Sequence, residues 1–332
     1  MLPFNSETEF TGWLARKSAG KARGLHLGIG DDAALLELRP GFKWVVTTDL
    51  SIEQVHFSAD RHPPRSVGHR ALARSLSDVA AMGGEPRFAL ISLALSRRVR
   101  RRWIEEFFTG MLRLARRYRV KLVGGDTALH AGRTMVDVTV IGEVLRDRAI
   151  LRSGAKPGDF LFVGGELGYS ALGLRLLRSR AGSKRFSESK AIRAHLYPDP
   201  QCQLGAFLAG RRIASSAIDV SDGLSSDLNR LAQASGVGAR IWADRIPRPE
   251  SAGGNSARSP GLSLALHGGE DYKLLFTVPP GRVELLPKRF RATRIVRIGE
   301  MQASRLGVQL VRNGNAVPLE AAGYDHFRSG KS

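Results

Sequence analysis

The amino-acid sequence predicts an α/β or α+β protein of two domains with a substantial sheet. Segments rich in β-branched residues alternate along the chain with segments whose apolar residues recur at helical spacing. The chain has 332 residues, which is more than a single hydrophobic core usually serves. A turn-rich basic stretch at 146–159 is typical of a junction, so we place the domains at 1–148 and 149–332.

In the first half, residues 24–38 predict a strand, a glycine turn and a further apolar segment. Residues 43–57 alternate and are rich in β-branched side chains, which is typical of a strand that ends in a loop. The remaining predictions are a helix over 65–82, a buried strand over 87–96, a helix over 100–118, a strand over 120–126 that ends at a glycine turn, and a long alternating strand over 134–145. The helix over 100–118 is expected to bury Ile104, Phe107, Phe108, Met111, Leu112 and Ala115.

The second half continues the alternation. Its predicted elements are a strand over 159–165, a helix over 169–180, a polar loop over 180–190, a helix over 201–213, a strand, turn and helix over 215–235, a surface loop over 248–261 and a strand over 272–278. The two halves share strands that end in loops of Gly and Asp, without a clean sequence repeat.

The composition is that of a globular protein, with 42% hydrophobic and 25% charged residues. The single cysteine, Cys202, excludes an internal disulfide and a multi-cysteine metal site, and we expect it to be a buried apolar side chain. The N-terminus lacks the apolar stretch of a secretion signal, and no run approaches the roughly 18 apolar residues of a membrane span. We therefore expect a cytoplasmic protein with no membrane partner.

The formal net charge of +20 raises nucleic acid as an alternative partner. The densest basic run, RRVRRRW over 97–103, leads into the helical pattern of 100–118, so its arginines are predicted to form the start and the solvated face of that helix. Aromatic residues are not interleaved with the run, as a platform for base stacking would require. We expect no nucleic-acid partner, and steep salt-dependent binding to DNA or RNA would favour the alternative.

Aspartates recur in small or apolar surroundings that contain no Lys or Arg. The windows are 28–36, 45–53, 76–84, 122–130 and 215–229. A buried carboxylate needs a partner charge, which here must come from a distant basic residue or a metal ion. Carboxylates on several separate loops suit Mg²⁺ or Ca²⁺, and Mg²⁺ is usually held by a few carboxylates together with waters and substrate phosphates. The pattern therefore favours phosphate chemistry.

The common catalytic loops are missing from the sequence. The sequence contains none of four motifs: the phosphate-binding loop G-x-x-x-x-G-K-[ST], the kinase loop H-R-D, the nucleophile elbow G-x-S-x-G and the zinc-binding helix H-E-x-x-H. GIGDDA matches the G-x-G-x-x-A form of a dinucleotide fingerprint, but Asp31 and Asp32 would repel a pyrophosphate there unless a cation intervenes. His56 and His69 are isolated in the sequence, and neither alone indicates a metal site.

Several motifs, taken in chain order from residue 28 to residue 327, resemble those of thiamine-monophosphate kinases. They are GIGDDAALL, TTDL with VHF, GHRALARSLSDVAAMGG, VGGDT, RSGAKPGD, AIDVSDGLSSDL, GGEDY and GYDHF. The resemblance implies an α/β (α+β) fold with a mixed N-terminal sheet, whose domain binds ATP and Mg²⁺ and forms the core of a homodimer. A C-terminal α/β domain would complete the active site.

By motif position, the resemblance also implies the residues of the site. Several Mg²⁺ ions, or their waters, would be held by Asp32, Thr47, Thr48, Asp49, Asp78, Asp126, Asp219 and Asp222. ATP would be contacted by Gly125, Asp126, Arg152 and Ser221. Thiamine monophosphate would be held by His56, Glu270 and Tyr324.

The implied reaction is phosphorylation of thiamine monophosphate to thiamine diphosphate, the final step of its biosynthesis. A phosphate monoester is largely ionised at neutral pH, with a second pKa of about 6, so the acceptor needs no strong general base. This agrees with the sequence, in which no residue is an obvious general base. The hypothesis is direct in-line transfer of the γ-phosphoryl group without a phosphoenzyme.

Three residues depart from the family pattern. Lys273 follows GGEDY where an acid is usual, Ala128 replaces a threonine after GGD, and Tyr169 replaces an acid in the LGDS turn. They put the details of substrate contact in question. The nearest alternative is another ATP-dependent member of the superfamily, such as aminoimidazole ribonucleotide synthetase or a hydrogenase maturation protein. Selenophosphate synthetase usually has a reactive Cys or selenocysteine near its N-terminus, whereas the one cysteine here is Cys202.

Overall fold

The computed structural model describes residue 4 and residues 6–29, 33–179, 189–249 and 260–324. The chain divides into two compact units. The N-terminal unit comprises residues 1–79 and 84–147, and the C-terminal unit comprises residues 80–83 and 148–332. In the described ranges, no helix is both long enough and apolar enough to cross a membrane.

The N-terminal unit alternates helices and strands. Its helices are α1 (Glu7–Lys17), α2 (Pro64–Ala81) and α3 (Arg101–Tyr118). Its strands are β1 (Leu25–Leu27), β2 (Leu35–Leu36), β3 (Phe42–Ile52), β4 (Glu85–Ser96), β5 (Lys121–His130) and β6 (Met135–Leu145). The six apolar residues predicted for the inner face of α3 are all buried, and this helix ends where Arg119 turns left-handed at φ 58°.

A four-stranded sheet in the order β3-β6-β4-β5 organises this unit. The β4–β5 pair is parallel and the other pairs are antiparallel, which makes the sheet mixed. Ser75 of α2 donates a hydrogen bond to the carbonyl oxygen of Val138 in β6, so α2 packs on one face. A Cβ at Gly110 of α3 would lie 1.9 Å from the carbonyl oxygen of Arg65, so glycine lets α3 approach α2 closely.

The prediction that a glycine turn ends the strand over 120–126 is wrong. β5 continues through Gly124 and Gly125 to His130 and stays paired with β4, with a register shift between Ala89 and Leu90. A Cβ at Gly125 would lie 1.9 Å from the carbonyl oxygen of Ile91, and its φ is +150°. The glycine therefore permits a close approach of two strands within the sheet.

The C-terminal unit is an α/β layer structure. Its helices are α4 (Tyr169–Arg178), α5 (Lys190–Leu196), α6 (Cys202–Gly210), α7 (Leu224–Ser235) and α8 (Pro260–His267). Its strands are β7 (Phe160–Gly164), β8 (Ser216–Val220), β9 (Gly238–Trp242), β10 (Lys273–Val278), β11 (Arg289–Phe290), β12 (Thr293–Gln302), β13 (Val308–Arg312) and β14 (Asn315–Pro318). Short 3₁₀ helices cover Pro280–Leu285 and Ser304–Leu306.

Seven strands follow the order β14-β13-β9-β12-β7-β10-β8, and β11 pairs with β12. The core lies between this sheet and its helices, and it includes Leu161 and Ile218 from strands and Leu228 from α7. Much of the loops predicted over 180–190 and 248–261 lies outside the described residues, but α5 begins at Lys190 and α8 at Pro260. The helix predicted over 201–213 ends earlier, at Gly210.

Candidate active site

Two predicted metal ligands come together in the N-terminal unit, Asp49 from β3 and Asp78 from α2. Thr47 Oγ1 donates a 2.6 Å hydrogen bond to Asp78 Oδ2. Arg74 Nη2 lies 3.4 Å from Asp49 Oδ1. Thr47 and Asp49 reach the same helix because side chains two apart in a strand point to the same face. We call Thr47, Asp49 and Asp78 the acid cluster.

The two carboxylates of the acid cluster lie close enough to affect each other's protonation. Burial is the main cause that raises the pKa of Asp49 to about 6. The Arg74 guanidinium opposes this shift, and the Asp78 carboxylate adds to it. A like charge that raises a carboxylate pKa is an arrangement that a cation relieves. The hard oxygen donors of these side chains fit Mg²⁺, which takes a few carboxylates and completes its shell with water and phosphate oxygens.

Thr48 lies on the opposite face of the sheet from the acid cluster. Its Oγ1 donates to Asp137 of β6, at 2.9 Å from Oδ1 and 2.8 Å from Oδ2. In the strand register Asp137 pairs with Ser92, and Ser92 pairs with Asp126 of β5. Directly paired residues point to one side of a sheet, so Thr48, Asp126 and Asp137 share the exposed face. Sequence reasoning missed Asp137, although it stands in the alternating strand TMVDVTVIGEVL.

His56 lies in the loop that follows β3, near the acid cluster. Its Nδ1 accepts a 3.0 Å hydrogen bond from the backbone N–H of Ile52. Arg70 Nη2 donates to its carbonyl oxygen at 3.2 Å. His56 also lines a small cavity together with Arg70 and Arg74, the residue that pairs with Asp49. This chain of contacts connects the loop with the acid cluster.

In the C-terminal unit, the turn between β8 and α7 is held by a carboxylate that sequence reasoning missed. Asp227 Oδ2 accepts hydrogen bonds from the backbone N–H groups of Ser221, Asp222 and Gly223, at 3.0, 3.0 and 3.1 Å. Arg230 bonds both Asp222 and Asp227. The pKa of Asp227 is raised to about 6, first by burial and then by the Asp222 carboxylate. Asp227 is the last aspartate of the motif AIDVSDGLSSDL, and its place in that motif could have indicated it from the sequence.

Two more predicted residues meet this turn. The backbone N–H of Glu270 donates to the carbonyl oxygen of Ser221 at 2.7 Å, and that of Tyr324 donates to the carbonyl oxygen of Asp222 at 3.2 Å. Glu270 has a left-handed φ of 66°, so the GGEDY loop folds sharply back on the turn. The structure thus brings together Ser221, Asp222, Glu270 and Tyr324, which we call the turn cluster.

Asp271, beside the turn cluster, is buried and caps a helix. Its carboxylate accepts hydrogen bonds from the backbone N–H of Gly168 and, at 3.0 Å, from that of Ser170, at the start of α4. Burial raises the pKa of Asp271 to about 6, while these two bonds lower it. Tyr169, which replaces an acid of the family pattern, begins the same helix. The carboxylate at this helix start is therefore supplied by Asp271.

Three predicted residues remain. Asp32 lies outside the described residues. Asp219 is buried in β8, and Arg152 is exposed, with its carbonyl oxygen accepting from Ser235 Oγ at 2.8 Å. Among the side chains that the structure describes, no three from His, Cys, Asp and Glu lie close enough together to hold one metal ion. The predicted metal ligands therefore lie in separate places. Thr47, Asp49 and Asp78 form the acid cluster, Thr48 and Asp126 lie on the exposed face of the sheet, and Asp222 belongs to the turn cluster.

Comparison with known proteins explains why these motifs occur together. The chain matches the family models AIR synthase related protein, N-terminal domain, over residues 30–144, and AIR synthase related protein, C-terminal domain, over residues 156–311. It is 38% identical to the thiamine-monophosphate kinase of Bacillus subtilis (strain 168) over 307 residues, which cover 91% of this chain and 94% of that one. The chain belongs to the thiamine-monophosphate kinase family.

Solved structures of thiamine-monophosphate kinases agree with this assignment and confirm the predicted fold class. The enzyme from Stenotrophomonas maltophilia K279a superposes with a TM-score of 0.82 at 34% identity, covering 92% of this chain and 96% of that one. AaThiL complexed with AMPPCP and TMP superposes with a TM-score of 0.73 at 31% identity, covering 97% of each chain. E. coli HypE, a hydrogenase maturation protein, shares the fold at 20% identity and a TM-score of 0.75, over 97% of this chain and 99% of that one.

The other two departures from the thiamine-monophosphate kinase pattern can also be placed. Lys273 begins β10, and its Nζ lies 3.5 Å from the carbonyl oxygen of Asp199. Ala128 lies in β5, two residues beyond Asp126 and therefore on the same exposed face. Neither residue belongs to the acid cluster or to the turn cluster.

Proposed function

We propose that this protein transfers the γ-phosphoryl group of ATP to the phosphate of thiamine monophosphate, which gives thiamine diphosphate and ADP. The observation that carries the proposal is 38% identity to thiamine-monophosphate kinases over nine tenths of the chain. The similar structure complexed with AMPPCP and TMP supports ATP as the phosphoryl donor. The step would complete thiamine diphosphate biosynthesis, and we infer a cytoplasmic site of action because the reaction draws on cellular ATP.

The acid cluster would hold Mg²⁺ in the N-terminal unit, and Asp219 and Asp222 would do so in the C-terminal unit. When bound, Mg²⁺ neutralises the phosphates and stabilises the charge that develops on the leaving ADP. The protein's own contribution is to fix the carboxylates: Thr47 orients Asp78 by a hydrogen bond, and Arg74 orients Asp49. On the opposite face of the sheet, Thr48 and Asp126 would hold a separate ion, and Asp32 is the remaining proposed ligand.

ATP would contact Gly125, Asp126, Arg152 and Ser221, and thiamine monophosphate would contact His56, Glu270 and Tyr324. Support comes from the turn cluster, where Ser221, Glu270 and Tyr324 converge through backbone hydrogen bonds. Three backbone N–H groups donate to Asp227 and fix this turn before any ligand arrives. The proposed phosphate and acceptor contacts are thereby held close to one another.

We infer direct in-line transfer with no phosphoenzyme. The acceptor phosphate is already ionised at neutral pH, so no protein group has to remove a proton from it. A single displacement inverts the configuration at phosphorus, whereas two displacements through a phosphoenzyme retain it. Transfer from ATP with a chiral isotopically labelled γ-phosphoryl group separates the two routes, and retention would contradict the proposal.

We also propose a homodimer formed by the N-terminal units. Three large apolar side chains of β3, an edge strand of the sheet, point to the exposed face and are 37%, 63% and 45% exposed: Trp44, Val46 and Leu50. Leu145, which ends the neighbouring β6, is 50% exposed. The apolar side chains of β3 flank Thr48, and exposed apolar side chains grouped on one face of an edge strand are typical of a protein interface.

The first test is a direct assay. Purified protein is mixed with ATP, Mg²⁺ and thiamine monophosphate, and thiamine diphosphate is followed by chromatography. We expect product that disappears with EDTA and in Asp78→Asn, whereas Asp147→Asn, at an exposed turn, should keep full activity. Absence of product while ATP still binds would contradict the proposed acceptor and direct attention to other acceptors of the superfamily.

A further inference from the structure

A cavity of about 790 Å³ opens in the N-terminal unit, beyond the ends of β4 and β5. Its walls come from the loop after β3, the segment that joins β4 to α3, and the hairpin between β5 and β6. Cavities of roughly 300–1,000 Å³ are the usual size for small-molecule sites. No residue of the acid cluster lines this cavity.

The lining of the cavity carries an excess of positive charge. Four arginines line it, Arg98, Arg100, Arg102 and Arg133, together with two acidic residues, Glu53 and Glu106. Glu53 Oε2 accepts from the backbone N–H of Thr134 at 3.0 Å, and Glu106 Oε1 accepts from Arg102 Nε at 3.2 Å.

Both carboxylates are therefore already engaged. Within the part of the chain that the structure describes, Arg98, Arg100 and Arg133 form no ion pair with a carboxylate. Three arginines that line one concave surface are suited to an anion, since the planar arginine head group binds phosphate oxygens in pairs.

The first turn of α3 adds to the positive electrostatic potential of the cavity. Arg100 precedes the helix and makes no side-chain capping hydrogen bond, and the first turn contains no acidic residue. The positive end of the helix dipole is therefore not offset by a nearby carboxylate in that turn. Because Arg100 and Trp103 also line the cavity, the helix start borders it.

An apolar wall stands beside the arginines. It includes Phe57, which is buried, and Trp103, which stacks on Phe107 with ring centroids 5.3 Å apart. The stacking and the packing of α3 hold the indole in place. A fixed aromatic side chain next to a cationic rim matches a ligand that has both a ring and a phosphate.

We propose that this arginine pocket, formed by Phe57, Arg98, Arg100, Trp103 and Arg133, binds a nucleotide-sized organic phosphate. The phosphate lies among the three guanidinium groups, and the ring lies against the apolar wall. The site is separate from the acid cluster, which carries the opposite charge and needs a divalent cation before it can accept a phosphate. The segment RRVRRRW thus provides a ligand site and not only a solvated helix face.

The test uses calorimetry with ADP as the probe in EDTA and moderate salt. Without a divalent cation, the carboxylates of the acid cluster weaken ADP binding at the proposed active site, and two double variants separate any binding that remains there from binding in the arginine pocket. We expect the double variant Arg98→Glu/Arg133→Glu to weaken ADP binding at least about tenfold. Arg113→Glu/Arg116→Glu, on the exposed side of α3, changes the net charge equally and should bind as the unmodified protein does.

Inorganic pyrophosphate and Trp103→Ala test the apolar wall. Pyrophosphate should bind more weakly than ADP, and Trp103→Ala should weaken ADP binding while leaving pyrophosphate binding unchanged. Thermal midpoints of all variants confirm that they are folded. No ADP binding in EDTA, or equal losses in the two double variants, would overturn the site; equal affinity for pyrophosphate and ADP would overturn its assignment to an organic phosphate.

Discussion

His195 Nδ1 lies 3.7 Å from Glu270 Oε2, and the His195 side chain is 1% exposed. The same ring nitrogen lies 3.0 Å from Ser170 Oγ. Ser170 in turn donates its backbone N–H to Asp271, the residue after Glu270. A buried imidazole thus connects the start of α4 with the carboxylate that we propose holds thiamine monophosphate. We assign His195 as a positioning residue for Glu270.

His195→Ala should raise the KM for thiamine monophosphate roughly fivefold, the effect of about 1 kcal/mol, because Glu270 loses the polar contact at 3.7 Å that positions its carboxylate. The KM for ATP should change by less than about twofold, because ATP is not proposed to contact Glu270. His195→Asn keeps a polar group near the Nδ1 position and should restore most of the affinity. A fall in kcat with both KM values unchanged would contradict a positioning role and indicate a general structural defect.

The stability of the protein should depend on the protonation of Asp271. Its folded-state pKa of about 6 lies above the ordinary value, so the folded protein binds this proton more tightly than the unfolded chain does. The contribution to the free energy of unfolding is therefore greatest below about pH 4, falls as pH rises to about 6, and is constant above that. The full change is of the order of 3 kcal/mol.

Urea unfolding of the protein and of Asp271→Asn between pH 4 and pH 7 measures this contribution. The variant should lack the part of the dependence of unfolding free energy on pH that Asp271 supplies. The difference in unfolding free energy between the two proteins should therefore vary between pH 4 and pH 7. Asp147→Asn, at an exposed aspartate, should leave that dependence unchanged. A difference between the protein and Asp271→Asn that stays the same at every pH would refute the assignment.

Magnesium should stabilise the protein through the acid cluster. At a hundred times its dissociation constant, a ligand that binds only the folded state adds about 2.7 kcal/mol. In Asp49→Asn this gain should largely disappear, because Asp78 is then the one carboxylate left in the acid cluster. The thermal midpoint in EDTA should fall, because Arg74 loses a carboxylate that it pairs with, so the Mg²⁺ effect is measured as the change in midpoint from EDTA to Mg²⁺ within each protein. An equal rise in midpoint with Mg²⁺ in both proteins would place the ion elsewhere.

Val46→Asp should convert the proposed dimer into a monomer. Val46 is 63% exposed, so the substitution should not affect folding, but it buries a charge if β3 lies in an interface. Light scattering after size exclusion gives the mass directly. Val317→Asp, at a valine that is 47% exposed in β14, is the matched control and should remain dimeric. A monomeric unmodified protein, or a Val46→Asp protein that remains a dimer, would exclude this face.

Segments with a strong period were predicted well. The helix predicted over 65–82 is α2, Pro64–Ala81, and the alternating strand predicted over 134–145 is β6, Met135–Leu145. Their buried faces repeat along the chain, so local pattern suffices. The strands β9, β13 and β14 were not predicted, because short segments held mainly by their neighbours in the sheet carry little pattern of their own. The longer strand β12 was also missed.

The sequence by itself determined the family, the fold class and the residue types of the site, since these depend on motifs and periodicity. Only the tertiary structure decided the partner of each carboxylate. Thr47 and Thr48 are neighbours in the chain, yet one bonds Asp78 of α2 and the other bonds Asp137 of β6. Likewise, Asp227 holds a turn and Asp271 caps a distant helix. The physical reason is that strand pairing and helix packing set which side of a strand is covered, and these depend on residues far apart in the chain.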